Sequence, residues 1–409
     1  MISFNTRNKV FLYCCIAFVV FATRCFNYVN WDITLGGRIS NFIGITIVLY
    51  FVSVIYRANF RSKLNHVVVL LIVLPLLQSI SKYFFYGESL LDEKDFYASL
   101  VTFLFFYIFQ ARRVKEEELV GVLTFVGLIA FFIQMWQQMN PDSALFGVYN
   151  PNSKLFFSTN ELAEVRNDLY RYRIGTAFIT IFCLYYYWGT VRRKFSLANV
   201  VLFAVFSVSI YLYLTRQILF ASTITILLSF LFERRLTLKV WGLVLALVLG
   251  ILLYTYSNVL FGELINLTRE EVNSTNIRYI GYAFFWEKIV SNPILFFIGH
   301  GIINEIGVWQ EKYYLFTSDI GLVGEWFLYG FLWVALYFYT LYLILFKYAK
   351  KIPMYIKLFV FGTSINSMFI FPYRSPYEYF IWVTILYVSS IYIDKSEKKY
   401  VFHNSNPSI

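Results

Sequence analysis

Residues 276–331 read NIRYIGYAFFWEKIVSNPILFFIGHGIINEIGVWQEKYYLFTSDIGLVGEWFLYGF. The first part is aromatic, and Arg278, Tyr282, Phe285 and Lys288 recur at helical spacing on roughly one face. Asn292-Pro293 punctuates it, Gly299-His300-Gly301 makes a turn, and a polar run closes at Ser318-Asp319. A long apolar helix begins there. An amphipathic helix lying in a membrane interface, followed by a span entering the bilayer, has this pattern. The stretch is also the largest part of the chain that water and a polar ligand can reach.

Outward from it, nearly everything is apolar. Of 409 residues, 59% are hydrophobic and only 14% charged, with a mean hydropathy of +0.61. Soluble domains hold roughly 45–50% apolar and about 25% charged residues. Apolar runs near 10–28, 39–56, 66–84, 96–110, 119–137, 172–191, 196–214, 216–233, 239–260, 319–347, 354–372 and 376–393 approach the length of a span. The expectation is an all-α polytopic membrane protein: one integral domain over 1–409 with about twelve transmembrane helices. The 96–110 run is short and the 319–347 run long, so tilt or partial insertion is expected at both. The first run reads as an uncleaved anchor.

The net charge of +11 does not point to nucleic acid, because Lys and Arg fall in short clusters between apolar runs. Arg57/Arg61/Lys63, Arg112/Arg113/Lys115, Arg192/Arg193/Lys194, Arg234/Arg235/Lys239 and Lys347/Lys350/Lys351 occupy every second connection, and both termini are basic too. The positive-inside bias puts these in the cytoplasm, with both termini. The opposite face then carries the long connections, 138–171 and 261–318, and long loops carry function more often than the elements they join. Cys14, Cys15, Cys25 and Cys183 lie in or beside apolar segments without metal or disulfide spacing, so they read as packing residues.

Several chemistries find no support. No glycine loop with its Lys-Ser/Thr is present for ATP, and His66, His300 and His403 make no His-x-x-x-His pair for a metal. Outer-face arginines are more informative. Arg216, in YLYLTRQILFAS, must sit at the outer edge of the bilayer, either as a depth anchor or on a ligand. Arg171 and Arg173 begin the span after the first long loop, against the positive-inside bias. Arg278 is the guanidinium of the amphipathic segment, again an anchor or a ligand group. Several guanidiniums beside a membrane suit an anionic ligand such as a lipid pyrophosphate, since guanidinium binds phosphate oxygens bidentately. Asp319 either caps the helix it begins or takes a proton from an acceptor hydroxyl. Glu325 should lie deeper, and Glu161, Glu164 and Asp168 are further acidic candidates. The Gly299-His300-Gly301 turn, with His300 at its centre, is too short to identify a motif.

The order of these features resembles the O-antigen polymerase and ligase superfamily, the Wzy-type membrane proteins of bacterial surface-polysaccharide assembly. Arg173-Ile174-Gly175 resembles the family's Arg-x-Gly, and Leu214-Thr215-Arg216 its Thr/Ser-Arg at the start of a span. Arg278, Trp286, Asn292-Pro293 and Gly299-His300-Gly301 resemble its large periplasmic loop, and Ser318-Asp319 through Gly330 the block that follows. The ligase branch has a His where Asp319 stands, a polar residue at Ile320 and a second Gly at Trp333, so polymerase is favoured. The resemblance implies a GT-C-like fold without metal or other cofactor, in an inner membrane. It implies transfer of glycan from undecaprenyl pyrophosphate to a sugar hydroxyl at the periplasmic face. Arg216 and Arg278 would hold the pyrophosphate and Asp319 the acceptor; Arg171, Arg173, Tyr282, His300 and Glu325 would bind substrate. A chain-length regulator is a further partner it admits. The alternatives are a ligase or, in a different class, a transporter of the lipid-linked unit.

Overall fold

A segment that is apolar on most of its surface satisfies its backbone internally as helix and packs its larger side chains against its neighbours. The computed structural model describes residues 8–26, 35–89, 94–146, 163–166, 169–172, 174–232, scattered positions between 240 and 255, 272–368, 371–373 and 375–404. These are mostly helical, with one small hairpin.

The helices are α1 (Lys9–Ala22), α2 (Leu35–Ile55), α3 (Asn65–Tyr86), α4 (Lys94–Leu100), α5 (Phe105–Arg112) and α6 (Glu116–Met139). Strands β1 (Ala163–Arg166) and β2 (Leu169–Tyr172) follow, then α7 (Ala177–Arg193), α8 (Leu197–Leu212) and α9 (Arg216–Leu228). After them come α10 (Val272–Ser291), α11 (Pro293–Ile298), α12 (Glu305–Tyr313), α13 (Gly321–Tyr342), α14 (Met354–Asn366) and α15 (Pro376–Asn404).

Among the described residues, four helical stretches are long and apolar enough to cross a membrane: Leu35–Ile55, Asn65–Tyr86, Glu116–Met139 and Thr317–Lys347. Lys9–Ala22, Leu197–Leu212 and Gln217–Leu228 are apolar but shorter. Several apolar runs therefore shrink as helices. The 96–110 run becomes α4, a 3₁₀ turn at Val101–Leu104, and α5, and most of 239–260 lies outside the described residues. Strand was not expected in the first long connection. There β1 and β2 pair antiparallel, Glu164 opposite Arg171 and Val165 opposite Tyr170.

The core is aromatic. Phe11, Phe18, Phe105, Phe109 and Phe380 interlock across α1, α5 and α15 with centroids 5.4–6.4 Å apart. Small residues admit close helix approach elsewhere. A Cβ on Gly362 of α14 would lie 2.9 Å from Thr225 Oγ1 of α9 and 3.1 Å from the Tyr185 ring of α7.

Two of the described basic connections, the one after α2 and the one after α5, meet α15 at one end. Asn59, Gln110, Arg113, Lys115, Asp394 and Lys395 line a cavity of about 650 Å³ there. Glu116 accepts from Tyr355 OH at 2.9 Å and Tyr392 OH at 2.7 Å, tying α6 to α14 and α15 at that level. Arg192 donates to Ser229 Oγ at 3.1 Å, which brings the far end of α9 near it.

Candidate functional site

The helix that carries Arg278 reaches the bundle through its glycine face. Gly281, Phe285 and Ile289 of α10 are buried, and a Cβ on Gly281 would already touch Ile320 at 3.5 Å and Leu315 at 3.8 Å. Arg278, one turn earlier on that face, therefore comes beside the loop after α12. Tyr314 closes α12 in the left-handed region, φ 55°, and Leu315 N bonds back to Trp309 O at 3.2 Å. A 3₁₀ turn, Thr317–Ile320, then presents Asp319. Arg278 and Asp319 line one cavity of about 180 Å³ with Ile277, Gly281, Tyr314 and Leu315. Ligand clefts run to roughly 300–1,000 Å³, so a phosphate group or one sugar ring fits this one.

Asp319 caps neither the 3₁₀ turn nor α13; its Oδ1 accepts from Ser318 Oγ at 3.3 Å and the side chain is exposed. Of the two readings of this carboxylate, capping is thus not what the geometry uses. Arg278 is half-buried, and among the described residues none shares a hydrogen bond or ion pair with its guanidinium. Tyr282 lies a turn further on and donates to Met368 O at 2.7 Å. Burial raises the Tyr282 phenol pKa against the opposing pull of Arg278, so the hydroxyl stays a neutral donor. Met368 also abuts Gly321 (φ 46°), where a Cβ would come within 2.5 Å of its carbonyl. Tyr282 and the start of α13 thus meet on one carbonyl.

A second cluster forms around the hairpin. The Gln138 side chain clamps the Tyr170 backbone, accepting from its N–H at 3.0 Å and donating to its carbonyl, while Tyr172 OH donates to Gln137 O at 2.9 Å. This holds β2 so that Arg171 Nη2 donates to Thr215 Oγ1 at 3.3 Å. Leu214, buried with φ 47°, turns the chain into α9, whose first residue is Arg216. The Arg216 side chain, Arg173, Glu161 and Asp168 lie outside the described residues. A helix N-terminus carries partial positive charge, so an anion beside Arg171 is favoured twice.

The two clusters sit toward the same end of the bundle. On α14, Gly362 faces Thr225 of α9, and Phe182 of α7 packs its ring on Tyr355 and Phe359. Helix α9 runs antiparallel to α14, because its far end, Ser229, meets Trp188 and Arg192 near the Tyr355 level. Arg216 lies about 13 Å from Thr225 along α9 at 1.5 Å per residue. Met368 lies beyond the C-terminus of α14 in the same direction.

His300 and Glu325 are placed elsewhere. Among the 319–347 positions, Gly330 is non-helical with φ 80° and ψ 174°, so the long helix expected there is broken. Gly299-His300-Gly301 docks into the break: His300 N donates to Phe327 O at 2.8 Å and Gly301 N to Leu328 O at 2.9 Å. Asn292 caps α11 through Ile294 N and Leu295 N, with Pro293 at the first helical position, which aims the turn. The His300 ring stacks on Phe327 at 4.4 Å, bonds Tyr86 OH, and reaches Lys288 O from Nε2 at 3.2 Å. Buried and engaged on both nitrogens, it does not line the Arg278 cavity. Glu325 is buried as well, at 1% exposure, and is absent from that lining.

Burial pushes the His300 imidazolium pKa down from 6.5 to about 4, against the backbone bond to Lys288. The unfolded chain then binds the proton first as pH falls. The contribution of His300 is complete above pH 6.5 and is lost between there and about pH 4, on the order of 3 kcal/mol. The unfolding midpoint should drop over that window, and a His300→Gln variant should flatten the slope; an unchanged slope would count against the buried neutral imidazole.

Beside this turn is a pair that spacing alone did not single out. Lys82, 2% exposed, bridges to Glu88 at 3.2 Å, and Glu88 accepts from Asn304 N at 2.9 and 3.2 Å. The available signal was a single Lys inside an apolar run with a carboxylate six residues on. Lys82→Met strands the carboxylate and should cost roughly 3–5 kcal/mol. Glu88→Gln keeps an acceptor for Asn304 and should cost less, and thermal unfolding in detergent would rank the two.

No family model matches this chain, and no curated protein matches it.

Proposed function

We propose that this chain is a GT-C-like glycosyltransferase of about twelve spans that polymerises lipid-linked oligosaccharide repeat units for an O-antigen, capsule or exopolysaccharide. Its site faces the periplasm of a bacterial inner membrane, with both termini cytoplasmic. The observation that carries this reading is the cavity that Arg278 and Asp319 line together, a guanidinium and a carboxylate that caps no helix. A transfer from undecaprenyl pyrophosphate breaks the bond between the anomeric carbon and the pyrophosphate oxygen and forms one to an acceptor hydroxyl. Arg278, with Arg216 and Arg171 toward the same end, would bind the departing pyrophosphate, where fixed positive charge lowers the barrier most. Asp319 would take the hydroxyl proton. Arg173 would help retain the glycan, and a chain-length regulator would set polymer size from outside. His300 and Glu325 would support the α13 break rather than touch substrate.

A second reading has one observation in its favour. Membrane transporters often place buried charges at interrupted spans, and here Lys82 and Glu325 are buried and α13, which carries Glu325, is interrupted at Gly330. A polysaccharide gel from a deletion strain, complemented with the wild-type chain, separates the readings. A single capped repeat unit that only the wild-type chain extends to a ladder marks a polymerase. Long polymer left on its carrier marks a ligase, and no unit on the outer face marks a transporter.

A further inference from the structure

Helix α10 has two apolar faces, unlike the one-faced amphipathic segment its spacing predicts, and the protein buries only one. Gly281, Phe285 and Ile289 face inward. About a third of a turn away, Tyr279, Ala283, Trp286 and Val290 recur every three or four residues and are exposed, Tyr279 to 73% and Val290 to 50%. The stripe continues through Ile294 and Phe297 of α11, also exposed. It then runs onto the outer surface of α13, on both sides of its Gly330 break and within an apolar stretch of membrane length: Trp286 packs on Trp326 at 5.4 Å, and Phe297 on Phe331 at 6.0 Å, with Phe331 and Leu332 exposed beyond.

The charges of α10 avoid the stripe. The Lys288 ammonium lies over Phe284 and Trp309, 5.7 and 5.8 Å from the ring centres, and Glu287 only borders it. Polar surface is concentrated instead on α12, where Glu305, Glu311 and Lys312 are exposed. Water does not tolerate so long an apolar strip on a soluble surface, whereas hydrocarbon does.

We infer that α10 and α11 are immersed in the bilayer, with lipid hydrocarbon covering the Tyr279–Ala283–Trp286–Val290 stripe, while α12 stays in water. The cavity of Arg278 and Asp319 then opens at the boundary between acyl chains and headgroups. A lipid-borne anion reaches Arg278 by lateral diffusion, with its chains never leaving the membrane. This holds for a transferase and for a transporter alike.

The test is a nitroxide label at Val290→Cys in a chain whose Cys14, Cys15, Cys25 and Cys183 are replaced by Ala. The protein is reconstituted in vesicles of phosphatidylethanolamine and phosphatidylglycerol, with Glu311→Cys as the companion site. Oxygen collisions should exceed those of a water-soluble nickel chelate several-fold at 290, and the order should reverse at 311. Nickel dominating at 290 places the stripe in water and overturns the inference. Exclusion of both quenchers at 290 means that another protein or a second copy covers it, which overturns it equally. Ala283→Cys, on the same stripe, reads the same contrast should the label at 290 disturb folding.

Discussion

An Arg278→Ala chain is expected to leave a single capped repeat unit where the wild-type chain makes a ladder, at unchanged protein level. The guanidinium lines the cavity beside Asp319 and is only half-buried, so its removal strands no buried charge. Stability should hold while chemistry fails. One fixed donor at a site of developing negative charge is worth about 100- to 1,000-fold in rate, enough to erase visible extension on a gel. Arg278→Lys retains the charge without the planar fork, so it should fall between. Asp319→Asn removes a proton acceptor worth roughly 100- to 10,000-fold while keeping the bond from Ser318. If both groups act in one step, the double variant will be little worse than the more damaging single one. Unchanged polymer length in Arg278→Ala would sink its assigned role, and a loss of protein level would recast Arg278 as structural.

The second large effect is on folding. At Gly330 (φ 80°) an added Cβ would lie 2.5 Å from Gly299 N and collide with Phe297 O. At Gly299 (φ 83°) it would lie 2.6 Å from Gly330 N. Each glycine occupies the other's side-chain space, and neither backbone can retreat without undoing the bonds from His300 N and Gly301 N. Positive φ with ψ near 180° costs about 1–3 kcal/mol for any other residue, and overpacking adds about 1–3 kcal/mol more. Against a total stability of about 5–15 kcal/mol, Gly330→Ala should sharply reduce the yield of folded protein and its unfolding midpoint. Gly307→Ala is the control: its Cβ meets nothing within 4 Å, on a helix, so a gain of up to about 1 kcal/mol is expected. Equal midpoints for the Gly330 and Gly307 variants would show that the break tolerates a side chain.

Composition and periodicity by themselves determined that this is a largely helical chain with membrane-length apolar segments. Burial of apolar surface and satisfaction of the backbone are local demands that a window of about twenty residues reports. Asn292-Pro293 was legible for the same reason, because a cap and a first-turn proline act within three residues. Only the tertiary structure decided which polar groups meet. Arg278 and Asp319 share a cavity because Gly281 lets α10 approach Ile320, and that approach depends on a distant partner surface. The apolar run at 319–347 read as one long helix because nothing local distinguishes Gly330 from a tolerated helical glycine. Its break depends on Gly299 filling the space a Cβ would take. His300, placed on substrate by resemblance, is drawn by the same docking into a buried stack on Phe327. The sequence specifies each face of each helix; packing chooses which faces meet, because close approach depends on the shapes of both surfaces at once.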